Sequence, residues 1–169
     1  MTKTPRNDQP RSEDRGDGRA GKYLAFALAG EQYAMSLDAV REIIGSAVLA
    51  SRPNMPESVR GLIHHRGKTV PVVDPRPGLG LPAARRELYC LIIVEAGGAE
   101  FGVAVDRITD VLDLTAGDIN APPLFGVKAN TRLVLGVSRS GDRPTILLDI
   151  AEIVSKDDLE KVAEDAFAA

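Results

Sequence analysis

The two histidines are the first candidates for chemistry in this sequence, because an imidazole can bind a metal ion or transfer a proton near neutral pH. His64 and His65 are adjacent, and they are the only histidines in the 169 residues. Neighbouring side chains on a strand point to opposite faces, so this pair cannot hold one ion together. With a single cysteine and no third histidine, the sequence cannot complete the usual transition-metal site.

Other motifs with chemical potential are equally weak. Cys90 lies in the apolar run 88–94, which predicts a buried strand and an unreactive thiol, and without a partner cysteine it favours a reducing compartment. Residues 16–21 match the dinucleotide pattern GxGxxG, but a polar stretch precedes them and a predicted strand follows, so the required strand and helix are missing. No phosphate-binding loop or nucleophile signature occurs. We therefore predict no enzymatic activity, no cofactor and no metal.

Three residues are not explained by core packing and are candidates for recognition. Glu42 lies in a segment of otherwise apolar spacing, and Arg66 precedes Gly67 in a hairpin turn. Arg66 could tie its turn to the neighbouring lobe through a salt bridge or hydrogen bonds, or it could make a recognition contact with a partner. Phe125, in the loop 122–126, is either buried or an interface anchor, a role that loop aromatics often fill.

The overall composition is that of a globular binding protein. The net charge of −3 gives no support to nucleic acid or an anionic lipid surface as a partner. No apolar run approaches the roughly 18 residues that a membrane span needs, so we expect no direct membrane insertion. The polar N-terminal stretch does not resemble a secretory signal, and we therefore expect a cytoplasmic protein.

The elements that must position these residues are mostly short strands. Residues 1–21 are polar and predict a disordered tail, and residues 156–169 predict a C-terminal helix with an apolar stripe. Residues 36–44 have helical spacing, with Ser36 as N-cap and Gly45 as the stop. Strands are predicted at 23–29, 32–35, 59–65, 68–74, 88–95, 100–105, 132–137 and 143–149.

The order of these elements repeats along the chain. Residues 33–40 parallel 101–108, residues 61–63 parallel 136–138, and residues 70–74 parallel 145–149. Several matches in the same order predict a duplicated unit, with subdomains at roughly 22–87 and 88–155. Two copies of several short strands each predict two small barrels packed together, because closure removes exposed sheet edges.

Residues 59–74, with the sequence VRGLIHHRGKTVPVVD, and residues 40–44, with the sequence VREII, resemble the CheW chemotaxis coupling-protein family, and the likeness extends over about 22–155. The resemblance implies a mostly-β fold of two five-stranded SH3-like barrels that share a hydrophobic core. It also implies an adaptor without catalytic activity or cofactor. Its partners would be the cytoplasmic tip of methyl-accepting chemoreceptors and the regulatory domain of the CheA histidine kinase, at receptor arrays.

The resemblance also assigns the candidate site residues. Phe125 falls in the loop that the family uses toward the kinase. The residues that match the family's receptor-contacting or contact-supporting positions are Val40, Glu42, Gly61, Arg66 and Gly67.

Two departures from the family pattern flank the implied receptor groove. His64 and His65 stand where the family usually has Asn-Leu, and residues 74–77, Asp-Pro-Arg-Pro, replace the usual Asp-Leu-Arg. They leave an alternative open, namely a CheW-like regulatory scaffold for a non-motility chemosensory pathway that is pH-modulated through His64 and His65.

Overall fold

The computed structural model describes residues 20–50, 55–56, 58–82, 89–121, 132–154, 157–160 and 162. Short 3₁₀ helices lie at Leu37–Ala39, Pro77–Leu79, Ala116–Asp118 and Ile150–Glu152. The strands are β1 Gly21–Leu28, β2 Glu31–Ser36, β3 Val40–Ala47, β4 Val59–His65, β5 Lys68–Val73, β6 Tyr89–Ala96, β7 Ala99–Val105, β8 Arg107–Leu114, β9 Ile119–Asn120, β10 Val134–Ser138 and β11 Thr145–Leu148.

The strands form two SH3-like sheets, and each sheet takes strands from both sequence copies. The six-stranded sheet has the order β8-β1-β2-β11-β10-β9, and the five-stranded sheet has the order β3-β6-β7-β5-β4. Each sheet therefore combines the first two strands of one copy with later strands of the other: β1 and β2 lie with β8, β10 and β11, and β6 and β7 lie with β3, β4 and β5. The predicted boundary between 87 and 88 separates the sequence copies but not the sheets, and the two-residue β9 brings one sheet to six strands instead of five.

The helix predicted at 36–44 is wrong. Ser36 does act as a cap, because its hydroxyl oxygen accepts a hydrogen bond from the Asp38 amide at 3.3 Å, but the 3₁₀ turn that follows ends at Ala39. The chain then continues as β3, in which Ile43 pairs with Ile92 of β6. Branched side chains such as Val40 and Ile43 suit a strand, and a pairing partner some 50 residues away in sequence overrides the local helical spacing.

One hydrophobic core fills the space between the two sheets, as predicted. Phe26 and Met35 of the six-stranded sheet and Ile92 and Phe101 of the five-stranded sheet belong to the same buried cluster. Such side chains contribute about 1.5–3 kcal/mol each on full burial. Within the predicted C-terminal helix, residues 157–160 and 162 are helical, and the cluster includes Leu159 and Val162.

In each sheet a neighbouring backbone segment approaches a glycine closely. In the five-stranded sheet, Ala50 exchanges two backbone hydrogen bonds with Leu62, with N···O distances of 2.9 and 2.8 Å. A Cβ atom on Gly61 would lie 2.8 Å from the Ala50 carbonyl oxygen, so only glycine permits this approach. In the six-stranded sheet a Cβ on Gly136 would lie 2.6 Å from the Asn120 oxygen. The repeat aligns these two glycines, and the structure gives them the same role.

Candidate protein-interaction site

Glu42, His65 and Arg66 form a charged group where the two ends of the five-stranded sheet approach each other, here called the Glu42 cluster. Glu42 projects from β3, His65 ends β4, and Arg66 begins the turn into β5. The Glu42 Oε1 atom lies 3.1 Å from His65 Nε2, 3.1 Å from Arg66 Nε and 2.9 Å from Arg66 Nη2. One of the two roles considered for Arg66, a salt bridge, is present, but it joins the turn to a strand at the opposite end of the same sheet and not to the neighbouring lobe.

The backbone of the turn holds Arg66 in an unusual conformation. Arg66 has a φ of 53° and Gly67 a φ of 79°, two consecutive positive values of the kind that a two-residue type I′ hairpin requires. Glycine adopts such angles freely, whereas a side chain makes them costly, by roughly 1–2 kcal/mol. The tight turn thus fixes the backbone position from which the Arg66 side chain projects.

The electrostatics of the cluster keep Glu42 ionised. The hydrogen bond from Arg66 lowers the pKa of the Glu42 carboxyl, and the positive charge of Arg66 and the nearby His65 act in the same direction. A carboxylate with a lowered pKa is a poor general base. Its physical role is to orient the guanidinium of Arg66, whose side chain remains 75% exposed and accessible to a partner.

The other predicted site residues have different surroundings. Gly67 is exposed beside Arg66, whereas Gly61 is buried at the sheet closure. Val40 is partly buried and packs against the core cluster. The structure therefore brings together Glu42, Arg66 and Gly67, and it gives Gly61 and Val40 supporting positions. Phe125 lies outside the described residues.

Sequence reasoning missed a shallow apolar groove beside the cluster, between the end of β3 and the β4–β5 hairpin. It has a volume of about 330 Å³, and Val48 at its rim is 72% exposed. No local pattern signals this groove, because it exists only once the ends of the sheet have met. Its lining residues are Ile44, Ala47, Val48, Ala50, Leu62, Ile63, His64 and Thr69.

The two histidines face different surroundings, as the strand periodicity predicted. His64 lines the groove, whereas His65 contacts Glu42 and has a side chain only 13% exposed. In the part of the chain that the structure describes, no three His, Cys, Asp or Glu side chains are placed to share a metal ion. The described helical segments include none of the length and apolar character that crossing a membrane requires.

The fold and the cluster define a class of protein: a double SH3-like β scaffold with a charged turn suited to contacts with other proteins. The family model for the CheW-like domain matches residues 22–158, and the chain belongs to this family. It is an adaptor or scaffold protein of the chemotaxis type, and the resemblance drawn from the sequence is confirmed.

Individual relatives agree with the family assignment. The chain is 31% identical over 142 residues to the chemotaxis protein CheW of Klebsiella aerogenes, covering 83% of this chain and 86% of the relative. It is 26% identical over 147 residues to CheW of Treponema pallidum, covering 84% and 86%. The crystal structure of the scaffolding protein TtCheW from Thermoanaerobacter tengcongensis superposes with a TM-score of 0.70 at 27% identity, covering 80% of this chain and 92% of that one.

Proposed function

We propose that the protein couples the cytoplasmic tip of methyl-accepting chemoreceptors to the regulatory domain of a CheA-type histidine kinase. The protein acts in the cytoplasm at receptor arrays, as a binding module without catalysis or cofactor. The observation that carries the proposal is the exposed guanidinium of Arg66, which Glu42 orients on a strained turn. An arginine held in place loses less side-chain entropy on binding than a free one, and arginine is common at interface hot spots.

Two groups of residues contribute to the proposed receptor contact. Glu42, Arg66 and Gly67 present the binding surface directly. Gly61 and Val40 support it, because Gly61 permits the closure of the sheet and Val40 packs the start of β3 against the core. For the kinase contact we retain Phe125, on the strength of its loop position in the family pattern.

A modest binary affinity is sufficient for this role. A contact built on one hairpin turn and the neighbouring strand is small compared with a standard protein interface. In an array, many copies engage together, and the effective concentration of linked partners raises the overall affinity. The alternative of a pH-modulated, non-motility scaffold is not favoured, because most of the relatives found are named as chemotaxis proteins.

The decisive experiment is a receptor pulldown with the variants Arg66→Ala and Glu42→Ala. Lys22→Ala is the matched control, because Lys22 also forms an exposed ion pair, with Asp113 at an N···O distance of 3.2 Å, but on the other sheet. Both cluster variants should retain the fold by circular dichroism and lose most receptor binding, while the control binds as the parent does. Parent-like binding by both cluster variants would refute the proposal.

A further inference from the structure

A buried ionic group links the two sheets at one junction, and the proposed binding function does not use it. Its members, Arg60, Asp74, Arg76 and Asp106, are here called the Arg76 network. Arg76 is 3% exposed and Asp74 is 1% exposed. Arg76 Nη1 lies 3.4 Å from Asp74 Oδ1, Arg60 Nε lies 3.1 Å from Asp74 Oδ2, and Arg76 Nη2 pairs with Asp106 Oδ1.

The network spans the connection between the sheets. Arg60 lies on β4 and Asp74 directly follows β5, so both belong to the five-stranded sheet. Asp106 lies where the chain passes from β7 to β8, and thus into the six-stranded sheet. The Asp106 carboxylate also accepts a hydrogen bond of 3.0 Å from the Ala29 amide, and its own amide donates to the Ala27 carbonyl at 3.0 Å. One chain of contacts thus connects both sheets.

The sequence repeat provides a built-in comparison. Backbone contacts confirm the equivalence, because the Asp74 amide donates to Ser58 and the Asp149 amide to Leu133 in the same way, both at 2.8 Å. The Asp149 carboxylate accepts from the Ala151 amide, just as Asp74 accepts from Arg76. The equivalent pairs are Asp74 and Asp149, Arg76 and Ala151, Asp106 and Asp38, and Ala29 and Gly97.

At the second junction an exposed alanine stands in the place of the buried arginine. Ala151 occupies the position of Arg76, and its Cβ lies 3.7 Å from where a Cβ on Gly97 would stand. Asp38, the counterpart of Asp106, is exposed. The repeat therefore closes at this junction without a buried arginine, and the fold as such does not require the network.

We propose that the Arg76 network, which occurs at one of the two equivalent junctions, fixes the orientation of one sheet relative to the other. Buried ion pairs add little net stability over apolar packing, but they require a defined geometry, because misplaced charges lose their partners inside the protein. Arg76 is accordingly a positioning residue. Ile43 on β3 and Val111 on β8 are exposed side chains on different sheets. The network keeps the distance between them constant.

The test measures the distance between the sheets directly. Ile43→Cys and Val111→Cys are introduced together in a Cys90→Ala background, since Cys90 is the only native cysteine. Spin labels on the two new cysteines then report their distance distribution by double electron–electron resonance. Asp106→Asn, which keeps the side-chain shape but removes the charge, should at least double the width of the distribution.

Asp38→Asn is the matched control, because it makes the same change at the equivalent exposed position, and it should leave the width unchanged. If Asp106→Asn does not fold by circular dichroism, Asp74→Asn takes its place, with Asp149→Asn as its control. An unchanged width of the distance distribution in the network variant, or equal broadening in the control, would refute the proposed role of the Arg76 network. The measurement involves no receptor or kinase, so its outcome is independent of the proposed coupling function.

Discussion

Replacing Arg66 with glycine separates the backbone cost of the β4–β5 turn from the contacts of the side chain. Arg66 holds a φ of 53°, and Ala29 holds a φ of 52° in the β1–β2 turn, again followed by a glycine with positive φ. Among the described residues, these are the two turns that place a non-glycine residue at such a φ, and only the β4–β5 turn belongs to the Glu42 cluster. Ala29→Gly is therefore the matched control for Arg66→Gly.

The expected magnitude follows from two opposing contributions. A left-handed backbone costs a residue with a side chain roughly 1–2 kcal/mol, which glycine does not incur. The greater freedom of glycine in the unfolded chain offsets about 0.4–1 kcal/mol of this gain. Ala29→Gly should thus raise the free energy of unfolding by about 0.5–1 kcal/mol. Arg66→Gly should be stabilised nearly as much, because the ion pair that it loses is largely exposed to solvent and contributes little.

Equilibrium urea unfolding followed by circular dichroism measures these differences, with Arg66→Ala as the variant that keeps the backbone strain and loses the contacts. Arg66→Gly should be more stable than Arg66→Ala by about 0.5–1 kcal/mol. In the receptor pulldown both should lose binding alike, by at least about tenfold, which corresponds to about 1.4 kcal/mol. If the better-folded Arg66→Gly variant binds as the parent does, the guanidinium is not the contact and the reasoning fails.

Further predictions concern the sheet closure, the acid response and the thiol. Gly61→Ala should lower the free energy of unfolding by about 1–3 kcal/mol, because its Cβ would overlap backbone atoms. Gly45→Ala is the control and should be nearly neutral, because open space surrounds Gly45. Equal urea midpoints of the two variants would contradict this. The contacts that lower the pKa of Glu42 stabilise the fold at pH values above the ordinary pKa of 4.5, and this stabilisation is lost as the pH falls through the lowered pKa. The free energy of unfolding, measured against pH, should therefore decrease less on acidification in Glu42→Gln than in the parent. Burial raises the pKa of the Cys90 thiol. Iodoacetamide at about pH 8 should therefore alkylate the folded protein at least about tenfold more slowly than the urea-unfolded chain. Similar rates would show that the thiol is not buried.

Local patterns were sufficient to predict the hairpins and the repeat, and the family resemblance implied the shared core. Residues Arg66 and Gly67 between two apolar runs predicted a tight turn, and the structure has it. The alignment of Gly61 with Gly136 predicted equivalent positions, and both prove to permit a backbone approach that a Cβ would block. Such features are readable because they depend on residues close in sequence or on repetition of the same pattern.

Other features could not be predicted, because they depend on partners distant in sequence. The helical spacing of 36–44 was misleading because β3 pairs with β6, which follows much later in the chain. The contact of Glu42 with His65 has the same origin, since β3 and β4 lie at opposite ends of one sheet and meet only when it curls. Local spacing does not encode which distant strand will compete for a segment.

The sequence by itself determined the class of fold, the duplication and the residues from which a binding turn is built. Period-two alternation, turn residues and repeated motifs are properties of residues close in sequence. They can therefore be recognised before the fold is known. Only the tertiary structure decided that the copies exchange strands, that Glu42 orients Arg66, and that the Arg76 network occurs at one junction while Ala151 occupies the other. These arrangements arise from long-range pairing and from the desolvation of particular charges, which depend on where the whole chain places each group.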